Sequence, residues 1–155
     1  MGFSIRHLKK NEWDMAVQLA WDTFLIYEAP EYSPEGVKNF SDFVKGEELK
    51  NMFYLGEYRA WGAFDDNDVI VGLLGIRKHW HISLLFVEPR LHHQGIATSL
   101  LKQAFSEGAK EGVNTMTVNS SPYAIGFYHR LGFTDLDHER TTDGIRYTPM
   151  SIELF

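Results

Sequence analysis

Between residues 86 and 101 the chain reads FVEPRLHHQGIATSLL. A hydrophobic strand stops at Pro89, a short polar loop follows, and a helix begins near Gly95 with only small or β-branched residues at its mouth. The first turn of a helix leaves backbone N–H groups without partners at the positive end of the helix dipole, so this joint favours an anion. Gly95 and Ala97 lack bulk, which lets a diphosphate approach the N–H groups of residues 94 to 98, and the Thr98 hydroxyl adds a donor. The same spacing also fits an ordinary helix start whose glycine serves a tight turn.

Composition narrows what such a joint can serve. With 155 residues and 44% hydrophobic residues, the chain reads as one domain able to bury roughly 68–70% of its unfolded surface without staples. It has no cysteine, which excludes disulfides, thiolate metal sites and cysteine nucleophiles. A net charge of −6 argues against binding a nucleic-acid backbone. Arg6, Lys9, Lys10, Glu12 and Asp14 interrupt any signal-peptide pattern, and Arg6 stands where a myristoylation motif needs Ser or Thr. The longest apolar run, Val69 to Ile76, is far short of the roughly 20 residues that span a bilayer. The expectation is a cytoplasmic protein without a membrane partner.

Periodicity gives the element order. Phe3, Ile5 and His7 alternate with Ser4 and Arg6, which predicts a short first strand. Asn11 offers an N-cap with Glu12 and Asp14 behind it, and Ala16, Val17, Ala20, Trp21, Phe24 and Leu25 mark a buried helical face. Pro30 and Pro34 bracket a break before a second helix over 34 to about 50. Asp65-Asp66-Asn67-Asp68 then turns an alternating strand, Tyr54 to Phe64, back into the run Val69 to Ile76. A third strand covers His79 to Val87, a helix 95 to 111, a strand Val113 to Val118, and a helix Pro122 to Leu131. Two last strands fit Phe133 to Glu139 and Ile145 to Leu154. The order β-α-α-β-β-β-α-β-α-β-β describes an α/β protein with a mixed sheet.

A second stretch, VNSSPYAIGFYHRLGF at 118 to 133, places Asn119 at a strand end, Pro122 in a first helical turn and Phe127-Tyr128 on the helix. Taken alone, its aromatics fit a plain core and Gly132 a helix C-terminus. Taken with the first stretch, in this strand order, the chain resembles the GNAT N-acetyltransferase superfamily over nearly its whole length, residues 1–155. The family's acetyl-CoA signature, Gln/Arg-x-x-Gly-x-Gly/Ala, falls on His92-His93-Gln94-Gly95-Ile96-Ala97, with His92 departing from Gln or Arg and its backbone N–H left to serve. The second pattern is matched by Asn119, Ala124, Phe127, Tyr128, Gly132 and Phe133.

The resemblance implies acetyl-CoA as co-substrate, no metal, and direct attack of a primary amine on the acetyl carbonyl in a ternary complex. The strand holding Leu85, Phe86 and Val87 would pair with the pantetheine arm in a gap between parted parallel strands. The Leu85 N–H would face the thioester carbonyl, a contact worth roughly 3–4 kcal/mol in other acyl transfers. Tyr128, a phenol of pKa about 10, is the candidate acid for the leaving thiolate. Asn119 would orient a water or the pantetheine amide.

For the base, His79 and His81 are two apart on a strand and so face the same side, and His81 stands eleven positions before His92, where the family's protein-acetylating branch places a glutamate. Glu88 and Glu28 are the alternatives. Tyr27, Glu28, Glu31, Tyr32 and Glu35 form an acidic, aromatic connection that would attract a cationic amine, with Tyr27, Glu28 and Tyr32 as acceptor contacts. The acceptor is a small-molecule amine or a protein amine. Two other readings stay open: a CoA-binding regulatory module, and a metal site built from His79, His81, His92 and His93. A homodimer is common in such folds, although no sequence feature marks an interface.

Overall fold

Strand alternation at the start of the chain makes β1 (Phe3–His7), which pairs antiparallel with β2 (Arg59–Asp65). The computed structural model describes residues 2–154. The Asp65 side chain accepts the N–H groups of Asn67 and Val69 and so closes the expected turn. That turn sets β2 antiparallel to β3 (Ile70–Arg77), and β3 pairs antiparallel with β4 (His81–Val87). The parallel partner of β4 is β5 (Thr115–Ser120), reached through α4 (Ile96–Lys110). After α5 (Ile125–Leu131) come β6 (Thr134–Asp135), β7 (Arg140–Thr142) and β8 (Ile145–Glu153). The sheet runs β1-β2-β3-β4-β5-β8-β6, with β7 paired to β8.

Helices cover both faces, as an α/β sheet requires. On one face α4 and α5 pack Ile96, Leu100, Leu101, Ala104 and Tyr128 against Val71, Leu74, Ile76, Met116 and Val118. Gly72 lets α4 settle there, because a Cβ at that position would stand 3.0 Å from Ile96 Cγ2 and 3.1 Å from Leu100 Cδ1. On the other face lie α1 (Trp13–Tyr27), α2 (Pro34–Val44) and α3 (Glu47–Tyr54), around Phe24, Val44, Leu49, Phe53, Leu73 and Phe86. Among the described residues no helix is long and apolar enough to cross a membrane.

Several boundaries differ from the sequence expectation. Asn11 does not cap α1. A 3-10 turn over Lys10–Glu12 precedes that helix, and the Glu12 carboxylate takes the Lys9 N–H at 2.8 Å. The helix expected over 34–50 is broken at the extended Gly46, which lets both Val44 and Leu49 reach the core. Tyr54 ends α3 rather than beginning a strand, since Leu49 and Phe53 form a buried i,i+4 pair and Trp13 stacks on Phe53 at 4.7 Å. His79 is not on β4: Lys78–Trp80 form a turn with His79 at φ 64, so His79 and His81 do not share a strand face. The strand expected over 133–139 shrinks to β6, and β7 forms beyond it.

A second contact shapes the region above β4. Ser33, the N-cap of α2, accepts the Gly36 N–H at 3.1 Å, and its own N–H reaches the Gly144 carbonyl in the β7–β8 turn. Asn39 donates to the Asp143 carbonyl at 3.0 Å. A Cβ on Gly36 would meet the Gly144 oxygen at 2.3 Å, so only glycine allows this seam to close.

Candidate active site

The register of β4 creates an unpaired edge. Opposite Gly75 and Ile76 of β3 stand Leu84 and Ile82, which leaves Ser83 as an extra residue in a bulge. Beyond it the Glu88 N–H bonds the Val71 carbonyl at 2.8 Å. Antiparallel alternation then turns the amides of Leu84 and Phe86 toward β3 and those of Leu85 and Val87 toward β5. Pairing between β4 and β5 stops at Ile82–Val118, so the strands part and the Leu85 and Val87 amides face a gap.

That gap opens into a cleft of about 1140 Å³ between the two helical layers. Its volume exceeds the roughly 300–1,000 Å³ of ordinary small-ligand pockets. At one end lies the loop into α4. His93 and Gly95 both take positive φ, 67 and 82, and Gly95 is the N-cap of the helix. A Cβ at Gly95 would meet nothing within 4 Å but would be strained by that φ. The N–H groups of Gln94, Gly95, Ile96, Ala97 and Thr98 have no backbone acceptor among the described residues. They form a concave set of donors at the start of a 15-residue helix, which fits the diphosphate of a CoA-type ligand.

His92 is used differently from the expectation. Its N–H goes to the Pro89 carbonyl at 3.3 Å, and its Nε2 lies 2.8 Å from the Val87 carbonyl. A carbonyl only accepts, so Nε2 carries the proton. His92 therefore ties the signature loop to the parted strand, while the Val87 N–H stays open. Tyr27, at the end of α1, lies against His92 at 4.8 Å and against Tyr123 at 5.1 Å. His93, Gly95, Ile96, Ala97 and Thr98 line the cleft. Gln94 is exposed and contributes no lining side chain.

At the middle of the cleft stand Leu85, Phe86, Asn119, Phe127 and Tyr128. Tyr128 is only 4% exposed, and burial first and the Glu28 carboxyl second push its pKa above the ordinary phenol value. It is a neutral proton donor at pH 7. Glu28 follows α1 immediately and faces the same space. Burial raises its pKa to about 7, against the contact with Tyr32 that pulls the other way. Burial and then Glu28 push the Tyr32 phenol up as well.

Other expected groups fall elsewhere. His81 lines the cleft, but its Nδ1 is held at 2.7 Å from Thr117 Oγ1. Burial, then the Arg77 charge, lower its pKa to about 4. Glu88 is bonded to Arg90 at 2.9 Å and is not among the lining residues. Glu31 pairs with Arg146 at 3.2 Å, and Glu35 lies outside the cleft, so the acidic connection brings only Glu28 inward. Among the described residues no group of three or more His, Cys, Asp or Glu is arranged to hold a metal.

Thr23, Arg77, Tyr123 and Arg130 are among the lining residues that no sequence signal singled out. Arg130 follows Gly126 by four residues on α5, and helical spacing puts both on one face. Arg77 is recognisable only through the β3–β4 register, which sets it opposite His81.

Comparison with known proteins agrees with this architecture. A peptidyl-lysine N-acetyltransferase of Salmonella typhimurium, YjaB, is 33% identical over 87 residues, 56% of this chain and 57% of that protein. This chain thus matches little more than half of that relative's length. A GCN5-related N-acetyltransferase from Rhodopseudomonas palustris superposes with a TM-score of 0.83 at 18% identity, covering 99% of this chain and 96% of that one. The PaiA N-acetyltransferase of Thermoplasma acidophilum, solved with coenzyme A, gives 0.79 at 21% identity over 99% of both chains. The acetyltransferase (GNAT) domain family matches residues 28–154, which hold the parted strands, the glycine-led helix and the buried tyrosine, and this chain belongs to that family.

Proposed function

We propose that the protein is an N-acetyltransferase that moves an acetyl group from acetyl-CoA to a primary amine held in the same cleft. The observation that carries this reading is the parting of β4 from β5 after Ile82, with free amides at Leu85 and Val87 leading to five unpaired N–H groups at 94–98. The loop donors and Thr98 would hold the diphosphate, with Arg130 on the neighbouring helix adding charge. The Leu85 and Val87 amides would hold the pantetheine arm as an added strand. When bound, acetyl-CoA supplies the activated thioester.

The chain's own residues then divide the proton work. The Leu85 N–H donates to the oxygen on which negative charge develops. Ionised Glu28, with a pKa of about 7, accepts a proton from the incoming ammonium. Tyr128 gives its proton to the departing thiolate sulfur and takes back the second proton that the nitrogen sheds as the amide forms. Glu28 replaces His81 as the base in this reading, because a ring whose conjugate acid has a pKa of about 4 is too weak a base to take a proton from an ammonium. The acceptor class is a small-molecule amine or a protein lysine, the latter being what the Salmonella relative's name describes.

The test is release of free thiol from acetyl-CoA across a panel of amines, beside amide-exchange protection by CoA. Amine-dependent thiol release with protection at residues 94–98 is expected. Protection without release with any amine leaves a CoA-binding module and overturns the catalytic reading.

A further inference from the structure

Arginine pairing separates two residues from the rest. Of the seven arginines, Arg6, Arg59, Arg90, Arg140 and Arg146 each lie within ion-pair distance of a carboxylate. Arg77 and Arg130 do not, among the described residues, and both line the cleft, where no lysine joins them. Arg130 stands on the α5 wall, beside the place assigned above to phosphates. Arg77 ends β3 on the opposite wall, away from that loop.

The surroundings of Arg77 are polar and built. Its cross-strand partner is His81, and directly opposed residues of an antiparallel pair carry side chains on one face. The same wall holds Ser83, whose Oγ is 2.6 Å from the Tyr58 hydroxyl. The Arg77 charge reaches both His81 and Tyr58, and His81 remains neutral at pH 7. Thr23, buried on α1 and also lining this space, carries the one buried side-chain oxygen or nitrogen without a hydrogen-bond partner among the described residues. Glu28 and Asp143 are the carboxylates of the cleft lining, and among the described residues no ion pair joins either of them to Arg77. A cleft lined by carboxyl and guanidinium groups that do not neutralise each other, with a spare hydroxyl, complements a ligand carrying both charges.

We propose that the acceptor is an amino-carboxylate, a primary amine that also bears a carboxylate, with the carboxylate gripped by Arg77 while the amine faces Glu28. The planar guanidinium fork suits a carboxylate through two parallel N–H donors. The proposal rests on the transferase reading and specifies the substrate of that same site. It makes Arg77 a specificity-determining residue.

Matched amine pairs test it: γ-aminobutyrate against butylamine, δ-aminovalerate against pentylamine, and lysine against cadaverine, each with acetyl-CoA and a thiol readout. The wild type should favour the carboxylated member of at least one pair by about 10-fold or more in kcat/KM, as a charge-assisted hydrogen bond allows. Arg77→Met should reduce that ratio by ~10–100-fold, Arg77→Lys should retain part of it, and Arg77→Glu should turn the lysine–cadaverine preference toward the diamine. Melting of CoA-loaded wild type and Arg77→Met with each amine gives a second readout and confirms that the variant is folded. Equal use of both members of every pair by the wild type, or a ratio unchanged in Arg77→Met, overturns the proposal alone. Thiol release with no amine of either kind overturns the transferase reading and this proposal with it.

Discussion

On one wall of the cleft the inward-facing groups are main chain: the N–H groups of 94–98 and the amide edge of β4 at Leu85 and Val87. On the other wall they are side chains, Thr23 and Glu28 from the α1 end, Tyr32 from the turn after it, and Arg77 and His81 from two strands. Main-chain donors depend on backbone shape, so a few local residues suffice: a proline stop, a left-handed glycine and small residues at the helix mouth. Side-chain chemistry assembled from distant segments depends on how those segments pack. In the proposed reading the first wall recognises a part common to every CoA thioester, and the second is free to differ with the acceptor.

The strongest way to test this division is to alter the two groups proposed to handle protons at its boundary. Tyr128→Phe and Glu28→Gln are each expected to lower kcat/KM by roughly 10²–10⁴-fold, with the dissociation constant for CoA nearly unchanged in a binding titration. Equal losses of CoA affinity would place these side chains on the donor wall instead. With an amine that stays almost fully protonated across the range, wild-type kcat/KM should rise through pH 7 and level off above it. Glu28→Gln should flatten that rise.

Glu28 also leaves a mark on stability. Its folded pKa, about 7, lies above the ordinary value of 4.5, so between these pH values the native state binds more protons than the unfolded chain. Stability therefore falls as pH rises through that window. Glu28→Gln should melt higher than wild type at pH 8 by an amount corresponding to roughly 1–3 kcal/mol, and the gap should close by about pH 4. A gap independent of pH would show that the carboxyl is well solvated.

Gly95→Val probes the main-chain wall alone. A β-branched residue at φ 82 is strained and projects into the ligand's approach, so CoA affinity should fall ~10–100-fold by titration. Gly36→Ala probes the seam between α2 and the β7–β8 turn. The clash with the Gly144 carbonyl should cost about 1–3 kcal/mol, or roughly 2–4 °C of melting temperature per kcal/mol. Because Asn39, Phe40 and Asp143 line the cleft on the side proposed for the acceptor, KM for the amine should rise more than KM for acetyl-CoA. The smallest effect is expected for His81→Asn, less than about 3-fold in turnover at pH 7, since the ring is neutral and tied to Thr117.

The sequence by itself determined the order of the main helices and strands along the chain, though not β7 or the break that separates α2 from α3, together with the glycine-led helix start and the motif that carries Tyr128. Each of these is written in contiguous residues whose periodicity and turn chemistry act locally. It also placed Glu28 near the acceptor, but ranked it below His81 as a base, because burial and neighbouring charge are properties of the folded surroundings. Only the tertiary structure decided that His79 leaves the strand in a left-handed turn and that His92 bonds the Val87 carbonyl. It alone brought Thr23, Glu28 and Arg77 into the lining of one cleft. Those outcomes follow from strand register and from packing between α1, β3 and β4, contacts between segments some fifty residues apart, which no local pattern encodes.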